Sequence, residues 1–249
     1  MLTHERPGLL SETVASFNKT ASISLTVIDD GSESVEKKAE LDRLEAEGTT
    51  IWRFSKGGFV NTWVRALGRA RGSMRDVGGL VLLEDDLSFA KGWMCILRRM
   101  YEGAADLGYM PGAMCCLRPH EEIQAKKIVL DGVDAYQSMW HGFQVNLMPW
   151  EVIENEKLIQ LAAEQTLRKK HGIDVYLLGG ISDRMGRTNF ISIESWVAHE
   201  GVGRSLVESQ GYKSFQRRGY GLVEELRSPN KVETNLVVKE EDGKKGGSG

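Results

Sequence analysis

The sequence predicts an α/β fold in which helices flank a mostly parallel central sheet. Apolar, β-branched segments alternate with helical segments through the first half of the chain, and this alternation is typical of right-handed βαβ crossovers. Three of the predicted strands are followed directly by clusters of polar residues. Because ligands bind at the carboxyl ends of parallel strands, we expect these clusters to meet at one rim of the sheet.

The predicted elements of the first half follow from hydrophobic periodicity and turn residues. Pro7 suits the first turn of a helix, on which Leu10, Val14 and Phe17 share one face. After it we predict a strand over 23–28, a helix over 33–47 with Val35, Ala39 and Leu44 inward, a strand over 49–54, a helix over 59–71, a strand over 79–83, a helix over 91–107 and a strand over 113–117.

The second half of the chain has a less regular pattern. We predict a strand over 143–148, a continuous or broken helix over 149–170, the start of another at 174–178 and a strand over 191–198. No linker divides the chain, so we expect one domain over 1–230, with halves of about 1–120 and 121–230. A flexible tail over 231–249 ends in a Gly-Gly-Ser-Gly sequence that is typical of an added linker.

Composition and charge exclude several classes of protein. The 249 residues carry a formal net charge of −3 and are 41% hydrophobic and 27% charged, which indicates a globular protein and not a dedicated non-specific nucleic-acid binder. We find neither an apolar run of ~20 residues nor a signal-peptide core, and therefore expect a cytoplasmic protein without an integral membrane segment. The three cysteines, two of them adjacent, match neither a disulfide framework nor a zinc site.

The most informative cluster is the acidic triplet Glu84, Asp85 and Asp86, which directly follows a predicted buried strand. Mg²⁺ and Mn²⁺ bind one or two carboxylates together with phosphate oxygens, so the triplet fits a site for a metal ion and a nucleotide diphosphate. The alternative is an acidic turn that caps the next helix, although three acidic residues exceed what capping requires.

Two further clusters are compatible with nucleotide binding. Asp30 could accept a hydrogen bond from a base or a ribose, but an ordinary Asp-Gly turn explains the same residues. Thr3 could bond a base or a ribose and Arg6 could face a diphosphate, but a helix cap before Pro7 is the alternative.

The three motifs stand in an order that resembles a known family. Thr-His-Glu-Arg-Pro at 3–7, Val-Ile-Asp-Asp-Gly-Ser at 27–32 and Leu-Leu-Glu-Asp-Asp-Leu at 82–87 resemble the nucleotide-sugar half of GT-A glycosyltransferases, especially family-2-like ones. The resemblance covers about residues 1–120 and implies a Rossmann-like GT-A fold with a smaller acceptor-side lobe at 121–230. The triplet stands where those enzymes have their DxD motif, with Glu first, a variant that some GT-A enzymes share.

The resemblance also implies roles for individual residues of the first half. It makes Asp86 the direct ligand of Mn²⁺ or Mg²⁺, places Thr3 and Asp30 near a uridine, and places Glu84 or Asp85 near the ribose or the donor sugar. In those enzymes an apolar strand precedes the first motif, whereas this chain has only two residues there. We therefore expect the first strand to be missing, very short or supplied otherwise.

A late histidine completes the metal site in many GT-A enzymes, and His199 is similar to it. The glycines at 201 and 203 allow close approach of the backbone to phosphate, and Arg204 beside them could contact the diphosphate. The alternative for His199 is a loop histidine that hydrogen-bonds to the backbone.

The acceptor side offers a candidate base and a candidate sugar pocket. Direct displacement at the anomeric carbon needs a carboxylate that takes the acceptor's proton. Asp174 precedes His199 in the chain, as the base of inverting GT-A enzymes precedes their histidine. Asp183 is the second choice for the base. The alternative role of Asp174 is a helix N-cap. Aromatic and amide side chains suit the wall of an acceptor or sugar pocket, or ordinary packing, and this pattern is found at Trp140, His141 and Gln144.

The resulting hypothesis is a metal-dependent glycosyltransferase that moves a sugar from a nucleotide-diphosphate donor, UDP-sugar by default, to an acceptor hydroxyl with inversion. The acceptor could be a glycan, a lipid carrier, a protein or a hydroxylated base in DNA. Two alternatives remain open. One is a sugar-1-phosphate nucleotidyltransferase, although its glycine-rich phosphate loop is absent. The other is a non-catalytic nucleotide-sugar or glycan-binding module.

Overall fold

The computed structural model describes residues 1–75, 77–105, 126–138, 145–169, 181, 184–186, 189–194 and 196–200. In this part of the chain the elements are β1 (Leu2–Thr3), α1 (Leu9–Thr20), β2 (Thr26–Asp30), α2 (Val35–Ala46), β3 (Thr50–Phe54), α3 (Phe59–Ser73), β4 (Gly79–Leu83), β5 (Leu87–Phe89), α4 (Trp93–Ala105), β6 (Lys126–Leu130), β7 (Val133–Ser138), β8 (Val145–Pro149), α5 (Trp150–Glu154), α6 (Glu156–Lys169), β9 (Asn189–Ser192) and β10 (Val197–His199). The predicted strand at 113–117, the helix start at 174–178 and the tail at 231–249 lie outside the described residues.

The predicted α/β fold class is confirmed, and its parallel part consists of β1, β2 and β3 in that order. Strand β1 is very short, which was one of the three expectations for it. It pairs with β2 through Leu2 opposite Ile28 and Thr3 opposite Asp29. The amide of Ile28 donates to the carbonyl of Met1 at 2.7 Å, which extends the pairing to the first residue.

The other described pairings are antiparallel: β4 with β8, β5 with β10, and β6 with β7 and β9. The segment predicted as one strand at 191–198 is divided between β9 and β10, which belong to different sheets. Strand β5 and the hairpin of β6 and β7 were not predicted from the sequence pattern. The helix predicted from Pro149 is broken at Asn155, between α5 and α6.

The core has two apolar clusters, one on each side of the strands. Val27 of β2 and Leu83 of β4 belong to the cluster that includes Phe17 of α1 and Trp93 of α4. Their sequence neighbours Ile28 and Leu82 belong to the cluster that α3, α5 and α6 form. Since successive side chains of a strand point to opposite faces, β2 and β4 lie between two layers of helices.

Helix α2 buries a different face from the one predicted. Val35 has 78% of its surface exposed and Ala39 is exposed as well, so the prediction that they face inward is wrong. Leu44 is buried as predicted, together with Leu41 and the charged residues Lys37 and Glu40. The inward positions 37, 40, 41 and 44 follow helical spacing, and two of them carry charge because they pair with each other.

In the described part of the chain, no helix combines the length and apolarity that crossing a bilayer requires.

Candidate functional site

The centre of the site is a pair of buried carboxylates directly after β4. The side chains of Asp85 and Asp86 have 1% and 2% of their surface exposed. The hydroxyl of Thr3 donates to Oδ2 of Asp85 at 2.5 Å. The guanidinium of Arg6 donates from Nη1 to Oδ2 of Asp86 at 2.7 Å and from Nη2 to Oδ1 of Asp85. We call these four residues the acidic cluster. It brings the ends of β1 and β4 together.

Electrostatics of the acidic cluster favour a cation. Burial raises the pKa of Asp85, and Arg6 and the hydrogen bond from Thr3 oppose this shift. Burial disfavours the charged form of Arg6, but Asp85, Asp86 and the nearby Glu84 outweigh it and raise the pKa of Arg6. With both aspartates ionised, a single guanidinium leaves an excess of negative charge in a buried place, which attracts further positive charge.

The backbone of the acidic turn is held from two sides. On one side, Thr13 of α1 donates its hydroxyl to the carbonyl of Asp85 and accepts from the amide of Leu87, both at 2.9 Å. On the other, the amide of Glu200 donates to the carbonyl of Asp86 at 2.7 Å. Strand β10 places His199 opposite Leu87, so the backbone of His199 runs beside the residue that follows Asp86.

Thr13→Val is expected to lower the free energy of unfolding by about 1–3 kcal/mol, because it leaves the buried amide of Leu87 and carbonyl of Asp85 without their partner. Urea denaturation measures the loss. Thr13→Ser is the matched control, since it keeps the hydroxyl and should retain most of the stability. Equal stability of the Val and Ser variants would show that the two hydrogen bonds do not hold the turn.

Asp29 and Asp30 end β2, and both interact with their own surroundings instead of the acidic cluster. Asp29 accepts from the hydroxyl of Ser32 at 2.5 Å and from its amide, which closes a local turn. Oδ1 of Asp30 accepts from the amide of Gly57 at 2.8 Å and from the hydroxyl of Thr62. Among the described residues, Oδ2 of Asp30 has no hydrogen-bond partner, so Asp30 retains an unused acceptor.

The remaining candidates divide into described and undescribed residues. Glu84 is half-buried at the end of β4 and adds its negative charge to the field around Arg6. Outside the described residues lie Trp140, His141, Gln144, Asp174, Asp183 and Arg204.

Three buried polar residues near the site were missed by sequence analysis: Thr13, Lys37 and Glu40. Thr13 stands at i+3 from Leu10, inside the apolar stripe of α1, and Lys37 and Glu40 each stand four residues before a leucine, Leu41 and Leu44. A polar residue at a position where periodicity predicts burial is the signal that could have identified them.

The donor set of the acidic cluster fits a hard divalent cation in part. Carboxylate oxygens are the ligands that Mg²⁺ and Mn²⁺ take, and the excess of negative charge favours such an ion. Within the described residues, no group of three or more His, Cys, Asp or Glu side chains is arranged to hold a metal. Asp85 and Asp86 therefore supply a partial set that phosphate oxygens, water or a further residue would have to complete.

The three parallel strands, the two helical layers and the acidic pair after β4 define an α/β fold, and its likeness to a solved structure gives the fold class more closely. Among solved structures, the chain matches that of GalNAc-T7, a crystal structure with UDP, GalNAc and Mn²⁺, at a TM-score of 0.56 and 14% identity. The match covers 80% of this chain but only 42% of that one. At this identity the likeness shows the fold alone. No protein-family model matches the chain, and no curated protein sequence matches it.

Proposed function

We propose that the protein is a metal-dependent glycosyltransferase that moves a sugar from a nucleotide-diphosphate donor to an acceptor hydroxyl. The observation that carries this proposal is the acidic cluster, two buried carboxylates bound to Thr3 and Arg6 at the end of β4 in a GT-A-like fold. UDP, GalNAc and Mn²⁺ in the crystal structure of GalNAc-T7 support a UDP-sugar as donor and a metal ion as cofactor.

In this proposal Asp86 holds Mn²⁺ or Mg²⁺, with His199 as a second protein ligand. The pairing of β10 with β5 supports His199, because it keeps its backbone next to the residue after Asp86. A divalent ion supplies positive charge that stabilises the leaving diphosphate. Arg6 adds a guanidinium beside it, and we assign Arg204 to the same diphosphate.

The nucleoside would be bound by residues at the ends of β1 and β2. The hydroxyl of Thr3 donates its hydrogen bond to Asp85, so it would act toward a uridine as an acceptor through its lone pairs. Oδ2 of Asp30 is available to accept from a base imide or a ribose hydroxyl. We assign Glu84 or Asp85 to the ribose or the donor sugar, as in family-2-like enzymes.

Calorimetric titration of UDP, GDP, CDP and dTDP, each with Mn²⁺ and with EDTA, tests the proposed function. We expect UDP to bind in the presence of Mn²⁺ and to lose its affinity in EDTA. If none of the four binds with Mn²⁺, or if EDTA leaves the affinity unchanged, the metal-dependent donor site is wrong. Mn²⁺-dependent hydrolysis of UDP-sugars then separates an enzyme from a non-catalytic module, and release of pyrophosphate from a nucleoside triphosphate would identify a nucleotidyltransferase.

On the acceptor side, we assign Asp174 as the base that takes the acceptor's proton in an inverting displacement. Asp174→Asn is expected to keep the affinity for UDP with Mn²⁺ and to lower the transfer rate by about 10²–10⁴-fold, since it removes only the proton acceptor. The matched control is Asp183→Asn, which should transfer at the unmodified rate. Full transfer by the Asp174 variant would exclude it as the base.

The acceptor itself would be bound at Trp140, His141 and Gln144, whose rings and amide suit the apolar faces and hydroxyls of a sugar. A glycan, a lipid carrier, a protein or a hydroxylated base in DNA each present the required hydroxyl.

We retain the cytoplasm as the expected compartment.

A further inference from the structure

Helix α2 carries a buried ion pair that the proposed chemistry does not use. Lys37 has no exposed surface, and its Nζ donates to Oε2 of Glu40 at 2.9 Å. Glu40 is 8% exposed. A buried ion pair costs desolvation free energy, and an apolar pair of similar volume would often pack as well or better. Packing alone therefore does not account for charged residues at these two positions.

Both members of the pair reach out of α2 to the segment between β1 and α1. Oε1 of Glu40 accepts from the amides of Gly8 and Ser11, each at 3.0 Å, and from the hydroxyl of Ser11 at 2.5 Å. The N-cap residue of α1 is a glycine without a capping side chain, so Glu40 supplies that cap from another helix. The pair thus fixes where α1 begins.

Lys37 extends the same contact to Arg6. Its Nζ donates to the backbone carbonyl of Arg6 at 3.1 Å, while the side chain of Arg6 binds Asp85 and Asp86. An arginine side chain has many rotamers, and holding it on two carboxylates is easier when its backbone is already fixed. Burial opposes ionisation of Glu40, but the hydrogen bonds from Ser11 and Lys37 outweigh it and keep the pKa of Glu40 below its ordinary value.

We propose that Lys37 and Glu40 are positioning residues for Arg6, and that through Arg6 they set the affinity of the acidic cluster for a nucleotide diphosphate. The proposal rests on the proposed function, in which Arg6 faces the diphosphate. In this proposal α2 does more than cover the sheet, because it positions the guanidinium of Arg6 without contacting the ligand itself.

A double-mutant cycle of Lys37→Met and Arg6→Gln tests the proposal by titration of UDP at saturating Mn²⁺. With Arg6 present, Lys37→Met should weaken UDP binding about 10-fold, because a hydrogen bond from a charged group no longer holds the segment. With Arg6→Gln, the same substitution should change the affinity by less than about 2-fold, since the residue through which it acts is gone. Asp42→Asn, on the exposed side of α2, is the matched control and should bind UDP as the unmodified protein does.

An equal loss in both backgrounds, or no loss in either, would overturn the proposal, because a merely structural role does not depend on the side chain of residue 6. If Lys37→Met does not fold, the variant K37M/E40Q replaces it. This variant removes both charges and keeps an amide oxygen that can accept from Gly8 and Ser11.

A urea titration of the same four metal-free proteins separates failure of this proposal from failure of the proposed function. If the unmodified protein does not bind UDP, the proposed function is wrong, and the urea midpoints alone decide the positioning role. The positioning role is supported if the midpoint shifts of Lys37→Met and Arg6→Gln sum to more than the shift of the double variant. Additive shifts would overturn it.

Discussion

Asp86→Ala is expected to abolish Mn²⁺-dependent binding of UDP, with a loss of affinity of at least about 100-fold. Even residues that only support a metal ligand change affinity about 10–100-fold, and Asp86 is proposed as the ligand itself. Its carboxylate is buried, and its carbonyl is held by the amide of Glu200. Because of this burial and this hydrogen bond, a neighbouring carboxylate could reach the position of the Asp86 carboxylate only if the backbone moved.

The same variant should still fold, which makes the loss of binding interpretable. Asp86→Ala removes one of two adjacent buried carboxylates, and Arg6 keeps its hydrogen bond to Asp85. The thermal midpoint should therefore change little, while calorimetry with UDP and Mn²⁺ records no binding. Asp42→Ala, an exposed carboxylate on α2, is the control for a general effect of charge. Unchanged UDP affinity in Asp86→Ala would remove this residue from the site.

The strands that build the site could be predicted because their signal is local. The segments of β2, β3 and β4 are rich in apolar residues and lie next to polar turns, and β4 was predicted with the bounds that the structure has. Strands β9 and β10 were merged in the prediction, because apolar residues recur from Ile191 to Ala198 and periodicity does not show that the two ends of this segment pair in different sheets. Long-range pairing, not composition, decides that division.

The location of the acidic cluster was also predictable, but its internal contacts were not. A parallel topology over the chain order of the motifs predicted that Thr3, Arg6 and Asp86 meet at one rim. The structure brings them together, although the described pairing of β4 is antiparallel, with β8. The sequence does not show that Arg6 binds the two aspartates, because that contact depends on how buried charges balance within the folded chain. For the same reason Val35 and Ala39 were predicted to lie inward, and the burial of Lys37 and Glu40 was not predicted.

Arg6→Gln is expected to destabilise the metal-free protein by about 3–5 kcal/mol, the usual cost of removing one partner of a buried ion pair. Arg53→Gln is the matched control. Arg53 also pairs with two carboxylates, Asp42 and Glu45, but all three side chains are at least 40% exposed. Exposed pairs contribute about 0–1 kcal/mol, so urea denaturation should separate the two variants clearly. A similar cost for both would mean that burial does not strengthen the Arg6 contacts.

The pH dependence of Arg6→Gln follows from Asp85. Burial already raises the folded-state pKa of Asp85 above the ordinary value of 3.8, and Arg6 opposes that shift, so removing Arg6 raises this pKa further. Between the unfolded and folded pKa values the folded state binds more protons, and stability therefore falls as pH rises through that window. The stability cost of Arg6→Gln should be smallest at acid pH and grow toward neutral pH. The stability cost of Arg53→Gln should show no such increase over the pH range in which Asp85 titrates.

Mn²⁺ should reverse part of the loss in Arg6→Gln. A divalent cation on Asp86, beside Asp85, replaces the missing positive charge, and a ligand that binds only the folded state raises the thermal midpoint. We therefore expect Mn²⁺ to raise the midpoint of Arg6→Gln more than that of the unmodified protein, in which the guanidinium competes for the same oxygens. An equal shift in both proteins would mean that cation and guanidinium do not share these carboxylates. No shift in either would mean that the acidic cluster is a structural ion pair and not a metal site.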